Sequence, residues 1–126
     1  MPEGPILVVD DDDTILVTVA ECLEMEGYRV ATAANGLEAL RQIEQREPAL
    51  VLLDMRMPVL DGWGFAQAAR DRGLRLKILV MSAAADARRW ALEIEAHGVM
   101  PKPFELEELV AAVSRHYGPP EPAGQG

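Results

Sequence analysis

Residues 6–14 read ILVVDDDDT: four apolar residues without interruption, four aspartates, then a threonine. A strand that is apolar at every position, rather than at alternate ones, is buried on both faces, which is the situation of a parallel sheet covered by helices on each side. Two further runs have the same character, LVLL at 50–53 and ILVM at 78–81. All three are expected to be central strands. The stretch from Tyr28 to Thr32 alternates, and Gly98 to Pro101 includes a proline that cannot donate to a ladder, so these two suit the edges of the sheet.

Between the strands, apolar residues recur at helical spacing. The first helix is expected to carry Ile15, Leu16, Val19, Ala20 and Leu23 on one face, with Asp13 or a neighbour as its cap and Gly27 as its stop. Leu37, Leu40 and Ile43 mark a second, closed by the extended bias that Pro48 imposes on Glu47. Phe65, Ala66 and Ala69 mark a third that ends at Gly73, Ala87, Trp90, Ala91 and Ile94 a fourth, and Leu106, Leu109, Val110 and Val113 a fifth. Strand and helix alternate five times. The expected fold class is therefore α/β, a single doubly wound five-stranded parallel sheet with right-handed crossovers.

The chain has 126 residues, enough for one domain with a substantial core, and its 12 basic and 21 acidic side chains give a net charge of −9. The basic residues are scattered, with no run longer than the pair Arg88–Arg89, so direct contact with nucleic acid is not expected. The apolar runs fall far short of the roughly 18 residues that span a bilayer, so no membrane segment is expected. A single cysteine, Cys22, and a start, MPEGP, without the basic and apolar regions of a signal peptide make the cytoplasm the expected location. Residues 1–118 are expected to form the domain. Residues 119–126, PPEPAGQG, have nothing to bury and are expected to be a disordered tail.

In open α/β sheets ligands bind beyond the carboxyl ends of the strands. The groups found there are Asp10 to Asp13 after the first strand, Asp54 at the end of the third, Ser82 after the fourth and Lys102 after the fifth. Carboxylates gathered from two strands raise one another's pKa unless a cation intervenes, and hard oxygen donors suit Mg²⁺. A lysine and a hydroxyl beside them can take the remaining oxygens of a phosphoryl group, which points to phosphoryl transfer with a carboxylate nucleophile. Asp12 and Asp13 read as solvated loop residues, with Asp13 or Thr14 capping the first helix. Asp61 and Gly62 read as the turn before the third. His97 and His116 have no partner at metal-ligand spacing and receive no role.

The strings ILVVDDDDT, LVLLDMRMPVLDGWGF, ILVMSA and PKPFELEEL, in this order and spacing, resemble the receiver domain of two-component response regulators over Ile6 to Tyr117. The resemblance implies a stand-alone, chemotaxis-receiver-like (βα)5 flavodoxin-like fold with strand order 2-1-3-4-5. It implies that Asp54 accepts a phosphoryl group from a sensor histidine kinase or a histidine phosphotransfer protein. Asp10, Asp11, Asp54 and the backbone carbonyl of Arg56 would then hold Mg²⁺ (or Mn²⁺), Asp11 directly and Asp10 through water. Ser82 corresponds to the switch hydroxyl and Lys102 to the lysine that contacts the phosphoryl group, with a Lys102–Pro103 bond that is usually cis in the family. The implied product is a signalling switch with self-catalysed phosphotransfer and autodephosphorylation rather than an enzyme. Its protein target would meet the face of the fourth helix, fifth strand and fifth helix. Arg56 and Ala84 match positions that tune phosphoryl lifetime.

The resemblance departs at Val99, where the family usually carries Tyr or Phe. Phosphorylation is still expected to shift the fourth helix and fifth strand, by a smaller or differently placed change. Trp63, just past the acidic loop, is expected to report metal or phosphoryl binding by fluorescence. Three other classes compete. ILVVDDDDT also fits the first motif of haloacid-dehalogenase-type phosphatases, with Asp10 as nucleophile, but the chain is short for that class and Asp54 is left unexplained. A flavin-binding relative would need amides rather than four aspartates after the first strand. A pseudo-receiver would not need Asp10, Asp11, Asp54, Ser82 and Lys102 together.

Overall fold

The computed structural model describes residues 4–119, so the expected tail lies, but for Pro119, outside the described residues. The order of elements is β1 (Ile6–Val9), α1 (Asp13–Met25), β2 (Val30–Ala33), α2 (Gly36–Gln45), β3 (Leu50–Asp54), α3 (Gly62–Asp71), β4 (Ile78–Ser82), α4 (Ala87–Glu93), β5 (Gly98–Pro101) and α5 (Leu106–Tyr117). The five strands are parallel in the order β2-β1-β3-β4-β5, with Ile6 opposite Val30 and Leu50, Val51 opposite Ile78, and Leu79 opposite Gly98. The three continuous apolar runs are the central strands, and the alternating and proline-bearing stretches are the edges.

The reason is visible in the packing. Leu7, Val9, Val51, Leu53, Ile78 and Val80 face one side, where α2, α3 and α4 bring Leu40, Ile43, Phe65, Ala66, Trp90 and Ile94. Ile6, Val8, Leu50, Leu52, Leu79 and Met81 face the other, against Leu16, Val19 and Leu23 of α1 and Leu109 and Val113 of α5. Each residue of a central strand thus buries its side chain in one core or the other, and no position is left for a polar residue until the strand ends.

Three sequence expectations shift in detail. β2 begins at Val30 rather than Tyr28, because Gly27 (φ +99°) and Tyr28 close α1: their backbone N–H groups donate to the carbonyls of Glu24 and Leu23. Tyr28 is instead buried edge-on against Tyr117, with centroids 5.3 Å apart. The buried face of α2 is set by Ala39, Leu40 and Ile43, and Leu37 is exposed. In α5, Leu109, Ala112 and Val113 are buried and Leu106 is exposed. Among the described residues no helix is long and apolar enough to cross a membrane.

Candidate functional site

The central strands deliver their terminal polar residues to one rim. One carboxylate oxygen each from Asp10, Asp11 and Asp54 lies within 4.8 Å of the others. Asp10, only 1% exposed, accepts from the Asp12 backbone N–H at 2.9 Å and from Lys102 Nζ at 2.6 Å. Asp54 Oδ1 stands 3.8 Å from the same ammonium. Lys102 is positioned by its own N–H, which donates to the Ser82 carbonyl at 2.9 Å, and is followed by a cis bond to Pro103. Ser82 is buried at the end of β4, its Oγ accepting from the Ala84 N–H at 3.0 Å.

This arrangement is short of positive charge. Burial first, then the Asp10 carboxylate, then more weakly Asp11, push the Asp54 pKa up to about 6; Lys102 and the Arg56 backbone N–H oppose them. One ammonium against three carboxylates leaves an excess that a divalent cation would offset, and the donor set, all oxygen, is of the hard kind that fits Mg²⁺.

Asp12 and Asp13 divide differently from expectation. Asp12, not Asp13 or Thr14, is the N-cap of α1, its carboxylate accepting from the Thr14 and Ile15 N–H groups at 2.9 and 3.3 Å. Asp13 is already the first helical residue, where its charge favours the helix dipole. Of the histidines, exposed His97 accepts at Nδ1 from the Ile78 N–H at 3.3 Å. Val99 lies in β5 opposite Val80.

The loop from β3 to α3 is tied down at each end. The Gly62 N–H donates to the Met55 carbonyl at 2.9 Å, the Gly36 N–H to the Leu60 carbonyl at 2.9 Å, and Asp61 caps α3 by accepting from the Gly64 N–H at 2.8 Å. Within it the Leu60 N–H reaches the Pro58 carbonyl at 2.8 Å, a γ-turn whose central residue, Val59, has φ +70°. A β-branched side chain in that region is strained by about 1–3 kcal/mol, and Val59 is exposed, so its side chain returns little burial. Val59→Gly is expected to raise the unfolding free energy by about 1 kcal/mol, after the extra chain entropy of glycine is deducted. A urea titration in which the variant unfolds at or below the wild-type midpoint would show that the turn stores no strain.

Sequence reading missed the surroundings of Arg56. Its guanidinium carbon lies 5.0 Å from the ring centroid of Trp90, which packs edge-on against Trp63 with centroids 5.1 Å apart, and Trp63 Nε1 donates to Glu93 at 3.0 Å. These contacts join separate elements, so neither period 2 nor period 3.6 signals them.

The family model for the response regulator receiver domain matches residues 6–114. The chain is 42% identical over 110 residues to the transcriptional regulatory protein PrrA of Mycobacterium tuberculosis, covering 86% of this chain and 47% of that one. It is 40% identical over 121 residues to the response regulator MprA of Mycobacterium sp. strain KMS, covering 92% of this chain and 53% of the relative. The chain spans about half the length of the curated relatives it matches. Among solved structures, the chemotaxis protein CheY4 of Vibrio cholerae is similar with a TM-score of 0.82 at 30% identity, covering 90% of this chain and 98% of that one. The receiver domain of NtrX from Brucella abortus gives 0.81 at 30% identity, covering 89% and 97%.

Proposed function

The chain belongs to the response regulator receiver domain family, and from that premise we propose that it accepts a phosphoryl group on Asp54 in a Mg²⁺-dependent reaction and thereby alters a partner-binding surface. The observation that carries this reading is the meeting of Asp54 with Asp10, Asp11 and Lys102 at the end of a buried strand. Phosphatase chemistry on Asp10 is not supported by these matches. It would also set the nucleophile against Lys102 at 2.6 Å and leave Asp54 without a task.

The donor is a phosphohistidine on a sensor kinase or phosphotransfer protein. An Asp54 oxygen forms the new P–O bond while the P–N bond breaks, its electron pair returning to the imidazole, which takes a proton from solvent. The carboxylates of Asp10, Asp11 and Asp54 with the Arg56 carbonyl would hold Mg²⁺ or Mn²⁺, Asp11 directly and Asp10 through water. When bound, the ion draws charge from the phosphoryl oxygens. Lys102 carries the remaining positive charge to those oxygens, and Ser82, freed from the Ala84 N–H, turns its hydroxyl toward them. The consequence is a population shift of the α4-β5-α5 face toward a protein target, smaller or differently placed than usual because Val99 has no ring to move.

We take residues 1–118 as the receiver and the cytoplasm as its compartment. The expectation of no nucleic-acid contact narrows to these 126 residues, since a relative of about twice the length is named a transcriptional regulatory protein.

Acetyl phosphate with Mg²⁺ is expected to add one phosphoryl group to the peptide containing Asp54, readable by mass spectrometry. EDTA or Asp54→Asn should abolish the gain. Phosphorylation that proceeds equally in EDTA overturns the reading, and turnover that needs Asp10 but survives Asp54→Asn favours the phosphatase.

A further inference from the structure

Arg56 has its main chain in the site and its side chain on α4. Its backbone N–H helps hold the Asp54 carboxylate ionised, while its exposed guanidinium sits 5.0 Å from the centroid of the Trp90 ring, within the range at which a cation is drawn to an indole face. Trp90 is buried although its helix is only seven residues long and has no side-chain hydrogen bond at its N-cap, Asp86. A helix that short holds its place through tertiary contacts rather than its own hydrogen bonds. Those contacts include Arg56 over the Trp90 ring and Trp63 of α3 in an edge-on pair with it, and Trp63 is tied back to α4 through Glu93 at 3.0 Å.

We propose that Trp90 is a positioning residue for the cation and phosphoryl site: by holding the Arg56 side chain it sets where the Arg56 carbonyl stands. This rests on the proposed function of Asp54 and adds a route of regulation to it. A shift of the loop on cation or phosphoryl binding reaches α4 through the same contact, without a ring at position 99. Coupling is reciprocal, so whatever fixes α4 changes cation affinity by the same factor that the cation changes the preference of α4.

The experiment is a Mg²⁺ titration of the full chain, followed by calorimetry and by tryptophan emission, with thermal unfolding as a check that each variant is folded. Arg56→Gln keeps the backbone carbonyl and removes the cation, and Trp90→Leu removes the ring. Each is expected to weaken Mg²⁺ about threefold, in line with the modest strength of an exposed cation–π contact. Trp90→Phe, which keeps a ring, should restore most of the affinity, and Arg56→Gln/Trp90→Leu should bind no more weakly than either single variant. A folded Trp90→Leu protein that binds Mg²⁺ as the wild type does overturns the inference, as do losses that multiply in the double variant. If Trp90→Leu does not fold, Arg56→Gln with Trp90→Phe decides: wild-type affinity in Arg56→Gln overturns it. Failure of the underlying reading is distinct: the wild type itself would then show no Mg²⁺ binding that Asp54→Asn abolishes.

Discussion

Asp54→Asn is expected to stabilise the cation-free protein at pH 8, by about 3 kcal/mol and so by roughly 10 °C in melting temperature. Burial and the neighbouring Asp10 and Asp11 hold the Asp54 pKa at about 6 in the folded chain, against an ordinary value of 3.8 once unfolding releases it. Between those two pH values the folded state keeps a proton that the unfolded state has lost. The contribution of this group to stability is therefore fully present below pH 3.8, falls as pH rises, and is gone above about 6. Asparagine has no charge to bury, so the variant escapes that loss. The two proteins should melt together near pH 4 and separate as pH rises to a little above 6, the gap then holding to pH 8. Mg²⁺ narrows the gap at pH 8, because it binds the folded wild type and raises its stability by mass action while the variant has lost a ligand. Thermal melts at the two pH values, in EDTA and in Mg²⁺, read all four outcomes. A gap that does not grow with pH would mean that Asp54 is not held against its charge.

That penalty connects the fold to its use. A strand apolar at every position is what places Asp54 where water cannot fully solvate it, with Leu53 beneath it and Met55 beyond it both fully buried. The same continuity made the central strands, and the rim residues Asp10, Asp54 and Ser82 at their ends, readable from ILVV, LVLL and ILVM alone. Other features were illegible for physical reasons. Four consecutive aspartates can each cap a helix, and only the extended backbone at Asp12 decides which one does. Leu37 has helical spacing with Leu40, yet at the first turn of α2 it falls outside the buried face. The contact of Arg56 with Trp90 joins two elements through the third dimension, and the positive φ of Val59 contradicts what a β-branched residue predicts on its own.

Gly62→Ala is expected to cost about 2–3 kcal/mol and to slow phosphorylation, whereas Gly64→Ala, two residues along α3, should be neutral or slightly stabilising. The two glycines look alike in sequence, since both lie in the first turn of the same helix. They differ in what a methyl group would meet. At Gly62 a Cβ would stand 2.5 Å from Met55 Sδ, 2.8 Å from Met55 Cα and 3.2 Å from the Asp54 carbonyl oxygen. The sulfur can swing away, but Met55 Cα cannot: it continues directly from β3, and its side chain is wholly buried. Relief requires α3 to move off the strand end, which breaks the 2.9 Å hydrogen bond from the Gly62 N–H to the Met55 carbonyl and displaces the backbone that carries Asp54. At Gly64 the nearest atom, 2.5 Å away, is the Leu60 Cδ1, the free end of a flexible side chain that can rotate aside. There the replacement of a helical glycine by alanine is a gain of up to about 1 kcal/mol. Denaturant unfolding of both variants, with phosphorylation by acetyl phosphate followed in parallel, separates the cases. Equal stability and equal phosphorylation rates for the two would show that the close approach of α3 to the end of β3 does not position Asp54.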